Sequence, residues 1–214
     1  VIVNALHSRD TDLMAGALRA LGVSIRDDDG AIHIEPRPLH GGEVECGLAG
    51  TVMRFVPPVA AMADGVVVFD GDPQARVRPM NTILDALRTL GVPVEGNTLP
   101  FTINGRGTPE GGVVEIDSSG SSQFVSGLLL AGPRFTKGIT VRHVGGRLPS
   151  LPHIEMTVSM LRHAGVRVDV TENSWKVHPG PIQGRTWTVE PDLSNATPFL
   201  AAAAVTGGTV KVRH

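Results

Sequence analysis

A short motif returns along the chain at a nearly fixed interval. Gly41-Gly42-Glu43-Val44-Glu45 comes back as Gly111-Gly112-Val113-Val114-Glu115, and a looser copy is Gly184-Arg185-Thr186-Trp187-Thr188-Val189-Glu190. The copies lie roughly 70 residues apart, longer than the common solenoid periods but a regular spacing all the same. A second landmark keeps the same interval: Leu21-Gly22-Val23, Leu90-Gly91-Val92 and Ala164-Gly165-Val166. Each of these glycines follows an amphipathic stretch, where a residue able to take positive φ closes a helix. Internal copies must bury their apolar faces against one another, so the repeat narrows the fold before any single element is read.

The helices before those glycines carry one apolar stripe each. Met14, Ala17, Leu18 and Leu21 fall at i, i+3, i+4 and i+7; so do Ile83, Ala86, Leu87 and Leu90, and Ile154, Thr157, Val158 and Leu161. The second copy predicts a strand over 42–46, a helix over 52–62, a strand over 66–69, a helix over 80–90 and a hairpin of strands over 92–95 and 101–104. The third repeats that order: strand 113–117, helix 123–131, strand 139–144, helix 152–163, and hairpin strands 166–170 and 175–178. The first copy lacks its opening strand and helix. A fourth begins with a strand at 187–189, a helix at 197–204 and a strand at 209–212, and stops midway. The pattern is α/β, in repeated βαβαββ units with helices inside and sheets outside. Val1-Ile2-Val3 and the stretch Thr209-Val210-Lys211-Val212-Arg213-His214 both read as strands cut short, so the sequence reads as part of a longer protein.

Composition excludes several classes. A net charge of −2 leaves no basic footprint for nucleic acid. No apolar run approaches the roughly 20 residues of a membrane helix. The one cysteine, Cys46, allows no internal disulfide, and no signal peptide is visible. No metal is expected: the eight histidines form no zinc spacing, and Cys46 reads as a small buried hydrophobe.

Chemistry-bearing residues collect where strands hand over to helices. Glu45-Cys46-Gly47-Leu48-Ala49-Gly50-Thr51 leads from a strand into an apolar helix. Free amides and the positive dipole end at such a junction bind anions, and glycine at position 50 lets a ligand approach the backbone. The matching turns are Ser118-Ser119-Gly120-Ser121-Ser122-Gln123 and Leu193-Ser194-Asn195-Ala196. A serine there is by default a helix cap, but five small polar residues ending in Gln123 exceed what one cap requires. Hydroxyls, amides and a carboxamide together suit a phosphorylated, hydroxylated substrate. Arg76 and Arg78 lie before Pro79 and a helix, where an arginine can clamp phosphate or carboxylate bidentately. Taken singly, each reads as a solvated loop cation, and Arg54 as structural. Ser150 and His153 hold the equivalent place in the third copy.

Taken in order, Gly47-Leu48-Ala49-Gly50-Thr51-Val52-Met53-Arg54, Arg76-Val77-Arg78-Pro79 and Ser121-Ser122-Gln123-Phe124 resemble 5-enolpyruvylshikimate-3-phosphate (EPSP) synthase. Phe199-Leu200-Ala201-Ala202-Ala203-Ala204 before Gly207-Gly208-Thr209-Val210 resembles it too, so the likeness spans essentially the whole chain. The resemblance implies a cytoplasmic, monomeric transferase of aromatic amino-acid synthesis that needs no cofactor. Such an enzyme moves the enolpyruvyl group of phosphoenolpyruvate (PEP) to the 5-hydroxyl of shikimate 3-phosphate and releases phosphate. It implies an inside-out α/β fold of two domains closing on the substrates. Residues 1–190 would form the shikimate-3-phosphate domain with its first unit incomplete, and 191–214 the start of the second.

By the same resemblance Gly50 and Arg78 bind PEP, Gly50 lying where the inhibitor glyphosate also approaches. Ser121, Ser122, Gln123 and Ser150 hold shikimate 3-phosphate. The chain departs from the family pattern at Leu48 and Phe55, commonly Asn and Pro, and at His153, often Tyr, so inhibitor sensitivity is not carried over. The family's lysine-bearing N-terminal stretch and its proton-transfer groups have no counterpart here. The 214-residue chain alone is therefore expected to be inactive and to bind shikimate 3-phosphate weakly. Two other readings stand beside this one. UDP-N-acetylglucosamine enolpyruvyl transferase shares the fold but uses a reactive loop cysteine. A non-catalytic phosphometabolite-binding module would use the same turns without turnover.

Overall fold

The computed structural model describes residues 1–190 and 193–212, with backbone only at 193–195. Three four-stranded sheets share one plan. In the second sheet, β4 (His40–Glu45) runs parallel to β5 (Asp64–Asp70), which pairs antiparallel with β7 (Phe101–Arg106), and β6 (Val94–Glu95) lies outside β7. The third sheet repeats this with β8 (Gly112–Ile116), β9 (Ile139–His143), β11 (Ser174–Val177) and β10 (Val168–Thr171). The first holds β1 (Ile2–Val3), β3 (Ala31–Glu35) and β2 (Ser24–Asp28) in the matching places.

The position that β4 and β8 occupy is filled in the first sheet by β12 (Trp187–Thr188). It runs parallel to β1 with Ile2 opposite Trp187. Sequence reading makes this strand the opening of a fourth unit; in space it supplies the opening strand of the first. The N-terminal amine of Val1 bonds to Arg185 O at 3.0 Å beside the same seam.

The helices are α1 (Arg9–Ala20), α2 (Gly50–Ala60), α3 (Asn81–Thr89), α4 (Gln123–Ala131), α5 (Leu151–His163) and α6 (Leu193–Thr206). Helices α2 and α4 pack on each other at the centre and are buried nearly all round. The stripes read from the sequence face inward on α3 and α5, where Ile83, Leu87, Ile154 and Leu161 are buried; on α1 only Ala17 and Leu21 are. The sheets form the outer layer. In β5, Val67 and Phe69 point to the core while Val66 and Val68 face solvent, the two-residue alternation of a half-buried strand. Gly22, Gly91 and Gly165 take the positive φ that closes α1, α3 and α5.

The close approach of α2 and α4 has a local cause. Pro58 has no N–H to give the carbonyl of Arg54 one turn earlier. Gly127 of α4 sits on that carbonyl: a Cβ there would lie 2.3 Å from Arg54 O. Two elements differ from expectation at the C-terminal end. Helix α6 begins before and ends after the predicted 197–204, with Phe199 65 % and Val205 87 % exposed. Residues 209–212 form no strand, because no ladder partner lies beside them among the described residues.

Candidate anion-binding cleft

After β4 the chain turns sharply. Glu45 Oε1 accepts the amide of Gly47 at 2.7 Å, Gly47 takes φ +49°, and Ala49 N–H closes the turn on Cys46 O at 2.9 Å. Ala49, the N-cap of α2, offers no side-chain cap. A Cβ at position 50 would stand 2.8 Å from Arg54 Nη1 and 2.9 Å from Arg78 Nη2, so a side chain there would push both guanidinium groups from their places. Gly50 is therefore the seat on which two guanidinium groups meet.

Neither arginine is neutralised. Arg54 donates from Nη1 to Gly50 O at 3.3 Å and lies over the Phe124 ring, 5.4 Å from its centroid. Its Nε is buried without a hydrogen-bond partner in the protein. Burial, and then the like charge of Arg78, lower its pKa to about 10. Arg78 donates to Leu48 O at 2.8 Å. The acidic residues of the adjoining loop are engaged elsewhere. Asp70 holds Arg76 through a bidentate pair of 3.0 and 2.7 Å, which with the Gly71 amide keeps its carboxylate below the ordinary range. Asp72 pairs with Arg9 at 2.7 Å. The two loop arginines thus part company: Arg76 is a partnered surface residue, and Arg78 turns its charge inward. Arg54, read from the sequence as structural, joins Arg78. The one signal for it was a charge on an otherwise apolar helix.

The third unit supplies the opposite wall. Ser118 is fully buried and its hydroxyl has no partner in the protein. Ser121 N–H donates to Ser118 O at 3.1 Å, and Ser121 Oγ accepts Gln123 N–H at 3.2 Å. Ser122, the N-cap of α4, makes no side-chain capping bond, so the capping role does not explain it. Ser150, the N-cap of α5, makes none either and takes the left-handed φ of +51°. A non-glycine residue held there stores strain of a kind concentrated at functional sites.

These residues share one cleft of about 330 Å³, lined by Arg54, Arg78, Gly120, Ser121, Ser122, Gln123, Pro149, Ser150 and His153. Of the candidates, Arg78, Ser121, Ser122, Gln123 and Ser150 line it directly, and Gly50 abuts its two arginines. The side chains of the fourth polar turn, 193–195, lie outside the described residues. A larger hollow of about 920 Å³ is lined by the 145–152 loop and shares Pro149 and Ser150 with the cleft. It has no comparable meeting of cations. Cys46 is buried and stays clear of the cleft lining; burial first, then Glu45 and Asp70, push its thiol up to about 12, which leaves it unreactive. The cleft can hold a compact anion against two guanidinium groups and a helix N-terminus, with hydroxyls and a carboxamide left to read neutral oxygens. Its lining includes neither a carboxylate nor a lysine.

The family model described as EPSP synthase (3-phosphoshikimate 1-carboxyvinyltransferase) matches residues 1–214. Two structures of EPSP synthase from Acinetobacter baumannii, one at 2.37 Å, superpose with a TM-score of 0.76 at 26 % sequence identity. Each superposition covers 95 % of this chain and 47 % of the other, so the chain spans about half the length of these proteins.

Proposed function

The chain belongs to the EPSP synthase family, and from that premise we propose that its cleft binds the two substrates of enolpyruvyl transfer from PEP to shikimate 3-phosphate. In this reading Arg78 clamps PEP, with Gly50 leaving room for it at the backbone. Ser121, Ser122, Gln123 and Ser150 hold shikimate 3-phosphate. Arg54 joins Arg78 on the PEP side. The observation that carries the proposal is the meeting of two guanidinium groups, neither paired to a carboxylate, with the serine-rich start of α4 in one cleft. Two cations about 4 Å from a bound anion each contribute about 4 kcal/mol of attraction at an effective dielectric near 20.

The same cleft explains a division of labour. Enolpyruvyl transfer protonates and deprotonates the methylene carbon of PEP and needs groups within hydrogen-bond reach. Apart from His153, the polar lining consists of serines, glutamine and arginines, which position substrates but are poor proton carriers at neutral pH. We assign residues 1–190 to the shikimate-3-phosphate domain and 191–214 to the start of the second, with proton transfer supplied by the other half of the family's length. The protein is then a cytoplasmic monomer acting on small molecules. Buried Cys46 argues against the UDP-N-acetylglucosamine enzyme, whose chemistry calls for an accessible thiol.

The test is phosphate release from PEP in the presence of shikimate 3-phosphate. The 214-residue chain is expected to bind shikimate 3-phosphate weakly and release no phosphate. Turnover by this chain would overturn the assignment of proton transfer to the remaining half.

A further inference from the structure

We propose that His143 is a positioning residue that staples together the two loops holding the phosphorylated substrate, and that it does so as the neutral imidazole with its proton on Nε2. The proposal rests on the reading of the cleft as a shikimate-3-phosphate site.

His143 ends β9 and its side chain is buried. Its Nδ1 lies 3.2 Å from the amide nitrogen of Ser118. A backbone N–H can only donate, so Nδ1 must carry the lone pair. Its Nε2 lies 2.8 Å from Gly146 O, which can only accept, so Nε2 must carry the proton. The two neighbours leave one tautomer.

Each end of this staple leads to the cleft. From Ser118 the bonds run on through Ser121 N–H to Ser118 O and Gln123 N–H to Ser121 Oγ. From Gly146 the chain passes through three residues to left-handed Ser150, whose carbonyl accepts His153 N–H at 2.9 Å. The Asp117 carboxylate also lies close to Gly145, where a Cβ would stand 2.6 Å from Oδ1, a contact of packing. The bond from Val144 N–H to Ile116 O at 3.0 Å closes the ladder at the base of the loops. Beyond that bond the imidazole links them, and it sets the span between the hydroxyls of Ser121 and Ser122 and that of Ser150. A substrate phosphate bridging the two walls is sensitive to that span, because small displacements of positioning groups are costly.

The experiment uses the 214-residue chain labelled with ¹⁵N. Long-range ¹H–¹⁵N correlation reads the ring tautomer, amide exchange reads the Ser118 N–H, and calorimetry reads affinity for shikimate 3-phosphate. The ring is expected to show its proton on Nε2. His143→Leu keeps the bulk and loses both bonds; it should bind the ligand roughly 5- to 10-fold more weakly, the loss of about one buried hydrogen bond, with faster Ser118 exchange. His143→Asn places a carbonyl near Nδ1 and should restore slow Ser118 exchange and most of the affinity; His143→Gln, whose amide reaches toward Gly146 alone, should not restore Ser118. A proton on Nδ1, or a leucine variant with unchanged affinity and unchanged Ser118 exchange, would overturn the proposal. If the unsubstituted chain fails to bind shikimate 3-phosphate, the functional reading falls, while the tautomer and the Ser118 amide still decide whether the staple exists.

Discussion

Arg54 and Arg78 show how one residue type takes different roles within a small space. Arg78 is tethered through one nitrogen, Nη1, to Leu48 O and Met53 Sδ, and keeps other donors for a ligand. Removing it from the full-length enzyme as Arg78→Ala deletes a charge-assisted contact worth roughly 1.5–3 kcal/mol, so the KM for PEP should rise about 10- to 150-fold. The KM for shikimate 3-phosphate should move far less, and Gln123→Ala should show the opposite bias; steady-state kinetics with each substrate varied in turn checks both. Arg54 is buried, and its lowered pKa states the cost of keeping it charged. For a cation whose pKa is lower in the fold than in the unfolded chain, that cost is full at neutral pH. It is relieved as pH climbs above about 10 toward the ordinary arginine range. Arg54→Met should therefore stabilise the fold by about 1–3 kcal/mol at pH 7 while weakening anion binding, with the gain shrinking above pH 10. Urea unfolding at the two pH values measures it. By residue type and position alone Arg76 and Arg78 were indistinguishable as clamps, and only the family resemblance singled out Arg78. What separates them is Asp70, whose reach to Arg76 depends on the path of a loop that no local pattern specifies.

At the scale of elements, the central helices carry the site because their backbones approach closely. Gly127 sits where any side chain would strike Arg54 O, and Pro58 leaves that carbonyl without its helical donor. Gly127→Ala should overpack this contact and cost about 1–3 kcal/mol in urea unfolding, and it should loosen shikimate-3-phosphate binding because Arg54 and Phe124 flank the displaced contact. A variant as stable as the parent would show that the helices can separate freely. Helices α3 and α5 were legible in the sequence as one buried stripe each, α1 in part, and Gly22, Gly91 and Gly165 mark ends that take positive φ. Less legible was α6, whose first turn lies upstream of the alanine run, because polar residues at a helix start read equally well as a turn. Strand 209–212 failed for the opposite reason: alternation makes a segment competent to pair but cannot supply the partner.

In the whole molecule, repetition does the organising. Three sheets of one plan surround paired helices, and strand-to-helix junctions of different copies meet at one end. The repeat let that meeting be expected, since equivalent junctions in packed copies face a common side. It did not show that β12 would complete the first sheet, because a two-residue strand carries too little pattern to choose its neighbours. The account's central claim is that the second and third copies together form one seat for a phosphorylated substrate. Titrating shikimate 3-phosphate into the ¹⁵N-labelled chain, with amide shifts followed residue by residue, tests it most directly. The account predicts saturable shifts confined to 50–54, 78, 118–123 and 146–153, with affinity falling as ionic strength rises. Shifts centred instead on the hollow between Arg9, Asp12 and Glu43, or scattered without saturation, would contradict it.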